Sequence, residues 1–360
     1  MDKAKRNRIF WLGMHKVLVQ TELPRLRELG YEVFNPPYLS PVGDQSAYHK
    51  IDKTQPTTLP KDIFTKLLQC NFFYKDIPQD IADILNKYFD TIIVTIDPNW
   101  LLSVLNSSFK GKVIYRTYGQ PQLLSEKLRD NGAQQLILCH PDFTFSPTSQ
   151  ESLDGESTWL KKIAQVAPYC LTDDVIALKD TWHKKAQKRS EIMLTCPSVK
   201  NSYYAKQYKF LKKNFSEPHY QYYGAQLVKT YDPQIVGTLP RDVQLERFQS
   251  VAGYIYTYKD PTVSYLPPFE MMVVGGPVLF LEGSLLDKFS KHNAPGRCKT
   301  IQEARDKAER LLSNDKAFIE SVIESQEGVR KRYLPEYVWP IFDDTIEKAI
   351  GRRKKREPIL

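Results

Sequence analysis

Cysteine is scarce in this 360-residue sequence, and the five present, Cys70, Cys139, Cys170, Cys196 and Cys298, are widely spaced with no Cys-x-x-Cys pair. That excludes a disulfide framework and a structural zinc module, and it suits a reducing cytoplasm. Long apolar runs are missing too: none reaches the ~18 uninterrupted residues that a spanning helix requires. The opening "MDKAKRNRIFWLGMHKVLV" sets charge ahead of apolar residues, but His15 and Lys16 interrupt the apolar part and no small-residue cleavage site follows. It reads as a first strand and not as a signal peptide. No segment repeats with a period of roughly 20 to 50 residues, and no recognition-helix or RNP-like motif occurs.

What is present belongs to a globular chain. Hydrophobic residues make up 41% and charged residues 26%, proportions that argue against disorder. The length suits two domains of ordinary size. Fifty-one basic residues against forty-two acidic give a net charge of +9, which points to an anionic partner. The excess gathers in "WHKKAQKRS" (182–190), "KQYKFLKK" (206–213) and the tail "GRRKKRE" (351–357). The first two are equally consistent with solvated helix faces, and the tail with a segment that rests on an anionic membrane surface.

Short apolar runs alternate with helix-like stretches, the pattern of parallel sheets covered by helices. In the first half the strands are expected at "RIFWLG" (8–13), "YEVFNP" (31–36), "TIIVTID" (91–97), "KVIYRTYG" (112–119) and "QLILCH" (135–140). In the second they are expected at "EIMLTCP" (191–197), "YQYYG" (220–224), "QIVGTL" (234–239), "GYIYTYK" (253–259) and "GPVLFLE" (276–282). Leu18, Leu23, Leu26 and Leu29 form a helical stripe closed by Gly30, and "TIQEARDKAERLL" opens with a capping box, Thr300 and Glu303. The expected fold class is α/β, with two Rossmann-like doubly wound domains facing a central cleft and C-terminal helices. The expected boundaries are 1–175 for the first domain, 190–330 for the second, and 331–360 for a C-terminal helix, packing back on the first domain, and basic tail. Sheets of this kind bind ligands beyond the carboxyl ends of their strands, so the loops there carry the candidates.

One such stretch is "LPPFEMMVVGGPVLF" (266–280), read as a loop, a short helix over about 269–274, a glycine turn and a strand. Glu270 then falls in the first helical turn, where unpaired N–H groups and the helix dipole favour negative charge. A carboxylate there can accept from two ribose hydroxyls; it can equally be only a cap.

With its context, "IVGTLPRDVQLERFQSVAGYIYTYKDPTVSYLPPFEMMVVGGPVLF" resembles the second half of the donor-binding domain of glycosyltransferases with the two-Rossmann, GT-B architecture. The opening "IFWLGMHKVLVQTELPRLRELGYEVFNPP" looks like their first strand, loop and helix. The resemblance implies that Glu270 binds the ribose of a nucleotide sugar (UDP-, GDP-, TDP- or CMP-linked), and that Gly275, Gly276 and Pro277 let the backbone approach the nucleotide. Retaining members often carry another Glu eight positions earlier; that position is Thr262, which leaves inversion or retention open. Enzymes of this type generally work without a catalytic metal or other cofactor, so side chains neutralise the leaving diphosphate. Lys200, Lys206, Arg241 and Lys229 are the candidates. A base must take the proton from the acceptor hydroxyl in an inverting transfer: Asp97, His140 and Asp142 are the candidates, unless they simply end strands, and His15, just past a strand ended by glycine, is a catalytic candidate that can meet acceptor or sugar. Arg116 and Tyr118 either bind an acidic sugar or phosphate or pair within the domain.

These readings imply a transferase of surface-polysaccharide or glycolipid assembly, with a glycan or lipid-linked acceptor, cytoplasmic or peripheral at the inner membrane face, and no nucleic-acid partner. A sugar-nucleotide epimerase of the same fold is the near alternative. A non-catalytic nucleic-acid-binding protein is the distant one, motivated by Lys and Tyr interleaved in "NSYYAKQYKFLKK" and "HYQYYG".

Overall fold

A computed structural model describes residues 7–38, 55–73, 76–118, 122–184 and 189–351. They fall into two compact units: one runs to Cys170 and resumes at Val338, and the other covers Leu171–Tyr337.

The first unit is built on five parallel strands, β1 (Arg8–Leu12), β2 (Glu32–Phe34), β3 (Thr91–Thr95), β4 (Lys112–Thr117) and β5 (Phe143–Pro147), in the order β2-β1-β3-β4-β5. Every residue of β1 and β3 is buried, which is why residues 9–12 and 92–94 are continuously apolar instead of alternating. An aromatic cluster fills one side of the sheet: Phe10 meets Phe72 at 4.7 Å and Phe89 at 5.4 Å between ring centroids. The helix Lys16–Glu28 links β1 to β2 and buries Leu18, Leu23 and Leu26; Gly30 follows at φ 83°.

One expected strand is corrected. "QLILCH" lies in a helix, Ala133–Cys139, started by the Asn131 side chain accepting from the Ala133 N–H at 3.1 Å. Its buried residues are Ala133 and Ile137, four apart, so the apolar run is one face of a helix. The fifth strand is instead the Phe- and Thr-rich "FTFSP". At the far end of the chain, the helix Pro335–Ile350 contributes residues from Val338 onward to this unit. There Asp343 accepts from Arg25 Nε at 2.9 Å and Thr345 donates to the Val166 carbonyl at 2.9 Å. The basic tail beyond Gly351, and most of "WHKKAQKRS", lie outside the described residues.

The second unit carries six parallel strands, β6 (Ile192–Thr195), β7 (Tyr220–Tyr223), β8 (Ile235–Gly237), β9 (Gly253–Tyr256), β10 (Val278–Leu281) and β11 (Arg297–Cys298), in the order β11-β10-β9-β6-β7-β8. The two-residue β11 is too short to leave a periodic trace in the sequence. The helix Ile301–Leu312 begins with half of the expected capping box: Thr300 Oγ1 accepts from the Glu303 N–H at 3.1 Å, while the Glu303 carboxylate reaches one residue further back and accepts from the Lys299 N–H at 2.8 Å.

Both sheets are doubly wound. Chain direction across the sheet reverses between β1 and β3 in the first unit and between β6 and β9 in the second, and these switch points open at the carboxyl ends of the strands.

Candidate functional site

At the first unit's switch point, β1 and β3 end in close contact. A Cβ added to Gly13 would stand 2.1 Å from Thr95 Oγ1, so only glycine lets the two strand ends approach. Next comes His15, at the N-cap position of Lys16–Glu28 without a side-chain capping bond. Its Nδ1 is enclosed and without a hydrogen-bond partner among the described residues. Burial lowers its pKa to about 4, so the imidazole is neutral at pH 7. Its ring lies 5.0 Å from that of Tyr118, whose buried hydroxyl is likewise unpaired; burial, then the Glu22 charge, holds that phenol well above its ordinary range.

On the other side of the switch, β3 ends in a tight turn. The Asp97 N–H bonds the Thr95 carbonyl at 2.7 Å around Ile96, which sits at φ 66°. A β-branched residue there is strained, at a cost of about 1–3 kcal/mol. Two bonds hold it: Ile96 N–H to the Arg116 carbonyl at 2.8 Å, and Tyr115 Oη to the Ile96 carbonyl at 2.9 Å. The turn sets half-buried Asp97 at the start of the helix Pro98–Asn106, where its Oδ1 accepts from the Asn99 N–H at 2.8 Å. His15, Tyr118 and Asp97 therefore belong to the carboxyl ends of β1, β4 and β3.

His140 and Asp142 do not. They precede β5, and the Asp142 carbonyl accepts from Val113 near the start of β4, which puts both residues at the amino edge of the sheet. The displacement follows from the helix that replaced the expected strand. Burial, opposed by Asp142, lowers the His140 pKa. Arg116 is no ligand for an acidic sugar either. It is 1% exposed and its guanidinium is used internally: Nε binds Glu22 at 2.7 Å, Nη2 binds the same carboxylate, and Nη1 binds the Ala167 carbonyl at 2.7 Å and Ser146 at 3.3 Å.

In the second unit, Glu270 is 5% exposed and lies one turn deeper than its sequence context implied. The helix is Leu266–Val274, with Tyr265 as N-cap and no acid in its first turn. The two prolines begin the helix, because proline suits the first helical positions. Glu270 accepts from Arg241 Nη2 at 3.3 Å; Arg241 in turn grips Asp174 through Nε at 2.7 Å and Nη2 at 3.0 Å, and donates to Thr172 at 3.2 Å and Gln244 at 3.0 Å. Burial opposes ionisation of Asp174, but hydrogen bonds from Arg241 and Thr172 outweigh it and hold the carboxyl at about 2. The sequence reading missed Thr172 and Asp174, whose only signal was the helix-opening "TDD". Arg241 thus serves two carboxylates, and its charge is already neutralised.

Gly275 and Gly276 end the helix. The Gly276 N–H bonds the Met271 carbonyl at 2.9 Å and the Gly275 N–H the Met272 carbonyl at 3.1 Å, with Gly275 at φ 94°, a Schellman stop. Pro277 follows at the start of β10, its carbonyl accepting from Tyr254. The turn therefore sits at the amino edge of the sheet with its amides occupied, away from the switch point.

Around the β6/β9 switch the loops are tied together. Tyr254 Oη donates to Thr195 at 2.7 Å and Gln207 to Thr257 at 2.6 Å. Tyr258 and Tyr265 stack at 4.0 Å and 22°, and Tyr203, 55% exposed, brings its hydroxyl to 3.4 Å from that of Tyr265. Asn201 caps the helix Ser202–Asn214 by accepting from the Tyr203 N–H at 2.9 Å. Lys200, just before this helix, and Lys206, on it, are exposed and form no ion pair among the described residues. Lys229 is exposed over the Tyr231 ring at 5.3 Å. Among the described residues no three His, Cys, Asp or Glu side chains gather closely enough to hold a metal ion, and no helix is long and apolar enough to cross a membrane.

No protein-family model and no curated protein sequence matches this chain. Solved structures do match it in fold. Sucrose-phosphate synthase from Thermosynechococcus elongatus superposes with a TM-score of 0.57 at 11% identity, covering 96% of this chain and 100% of that one. HepE from Anabaena, in complex with UDP-glucose, gives 0.57 at 13% identity with the same coverage. A DNA-modifying β-glucosyltransferase, solved with and without uridine diphosphoglucose, gives 0.52 at 15%, again over 96% and 100%. The likeness spans both units and is one of fold: two doubly wound α/β units in one chain, the GT-B architecture.

Proposed function

We propose that this protein is a glycosyltransferase that moves a sugar from a UDP-linked donor to a glycan or glycolipid acceptor in surface-polysaccharide assembly. The observation that carries this reading is the carboxyl edge of the second sheet, where a buried carboxylate, Glu270, held by Arg241, shares a unit with a tyrosine stack and unpaired lysines at the β6/β9 switch. Fold neighbours solved with UDP-glucose support the choice of nucleotide. In this reading Glu270 accepts from the ribose hydroxyls, the tyrosines meet the base, and Lys200 and Lys206 balance the leaving diphosphate with no bound metal. The first unit serves the acceptor. In an inverting transfer the acceptor oxygen bonds the anomeric carbon as the bond to the diphosphate oxygen breaks, and the acceptor proton passes to Asp97. His15, kept neutral by burial, and Tyr118 orient the hydroxyl. The basic tail (351–357) holds the enzyme at the cytoplasmic face of an anionic membrane.

A thermal-shift series with UDP, GDP, CMP and TDP tests it, because a bound nucleotide stabilises with the logarithm of its concentration over its dissociation constant. UDP should raise the melting temperature most; no shift with any nucleotide at millimolar levels would sink the reading. Asp97→Asn should then lower UDP release from UDP-sugar plus acceptor by about 10²–10⁴-fold without changing the UDP shift.

A further inference from the structure

The loop between β7 and β8 exposes an unusual set of side chains: Leu227 at 44%, Val228 at 53%, Tyr231 at 84% and the exposed Lys229. It does not hang free. Asp232 accepts from Tyr208 Oη at 2.7 Å and pairs with Lys212 at 2.9 Å, and Gln234 accepts from Lys212 at 2.6 Å, so the loop is fastened along one edge of the helix Ser202–Asn214. Beside that edge Lys206, Lys209 and Lys213 recur at i, i+3 and i+7, all exposed and without ion pairs among the described residues. The helix contains no Asp or Glu. An aliphatic and aromatic tip is thereby fixed next to a row of uncompensated positive charge.

We propose that this helix and loop form a docking surface for an anionic lipid bilayer, with Leu227, Val228 and Tyr231 entering the headgroup boundary and Lys209 and Lys213 facing acidic headgroups. Apolar tips with flanking lysines are what the interface selects: aliphatic groups gain by leaving water, tyrosine suits the boundary between apolar and wet layers, and each lysine near the surface adds attraction. A nucleic acid would match the lysines and Tyr231, but it offers Leu227 and Val228 no apolar medium to enter, and aliphatic side chains cannot stack on bases as aromatic ones do. The surface includes none of the basic-tail residues. It deepens the transferase reading by bringing the enzyme to the membrane that carries a lipid-linked acceptor, and it rests on that reading only for the identity of the acceptor.

The test is co-sedimentation of the full chain with vesicles of phosphatidylcholine alone or mixed with phosphatidylglycerol, at low and high salt. Wild type should sediment with the mixed vesicles, less so at high salt. Leu227→Ser/Val228→Ser should weaken binding under both conditions. Lys209→Ser/Lys213→Ser should weaken it at least about tenfold at low salt. Equal sedimentation of all three proteins would assign binding to the tail and overturn the proposal. So would no sedimentation at all, or loss of oligonucleotide binding in the lysine variant with vesicle binding unchanged. The UDP-induced melting shift of each sample reports folding and the donor site independently. Vesicle binding without a UDP shift would remove the transferase reading and leave the docking surface standing.

Discussion

Arg241 reaches the Glu270 carboxylate at 3.3 Å with the same Nη2 that holds Asp174 at 3.0 Å. One cation between two carboxylates leaves the group with a net negative charge, so Arg241 fixes Glu270 in place, and on the transferase proposal the diphosphate takes its positive charge from Lys200 and Lys206. Replacing Glu270 by Ala should weaken UDP binding by about tenfold to a hundredfold, the worth of a hydrogen bond to a charged group, with little change in the urea midpoint because Arg241 keeps Asp174. Calorimetric titration with UDP decides it; unchanged affinity takes Glu270 out of the site.

Gly275 separates a structural turn from a ligand loop. A Cβ there would lie 3.2 Å from the Asp180 Cα, and the residue sits at φ 94°, which costs a residue with a side chain about 1–2 kcal/mol. Gly275→Ala should lower stability by that amount in urea titrations and leave UDP affinity within about twofold. The reverse outcome, lost affinity at unchanged stability, would return the turn to the nucleotide site.

Much of this architecture can be read from the chain, because fully buried parallel strands such as β1 and β3 have a plain signature, an apolar run such as residues 9–12 or 92–94. "QLILCH" carried the same signature for a different reason, since a short helix that buries residues four apart also shows an apolar run. That one substitution of helix for strand moved His140 and Asp142 to the wrong end of the sheet. Arg116 was legible as a strand-end cation but not as a buried one, because its partner Glu22 lies 94 residues away on a helix whose inward face is set by packing. Glu270 was misplaced by a turn for a local reason: two prolines that read as loop in fact open the helix. The Ile96 turn had no trace at all, since nothing in "TIDP" demands a left-handed isoleucine.

The buried pair itself gives a stability prediction. Glu22 is 0% and Arg116 1% exposed, so removing the cation strands a carboxylate away from water. Arg116→Met should cost about 3–5 kcal/mol, and adding Glu22→Leu should recover a large part of the loss. Denaturant unfolding of the single and double variants checks this; additive losses would mean the two side chains do not act as a pair.

His15 sets a pH dependence whose sign follows from burial. Its folded pKa is lowered to about 4, against about 6.5 in the unfolded chain. Below pH 6.5 the unfolded state therefore takes up a proton that the folded state refuses. Stability due to this group is full above 6.5, falls as pH drops through the window from 6.5 to 4, and falls no further below it. The loss amounts to at most about 3–4 kcal/mol. Carboxylates such as Asp174 add their own losses at lower pH, so the test is a difference: unfolding midpoints of wild type and His15→Gln at pH 7.5 and 4.5. The variant should lose less stability than wild type between the two, and parallel losses would show that His15 is hydrated and titrates normally.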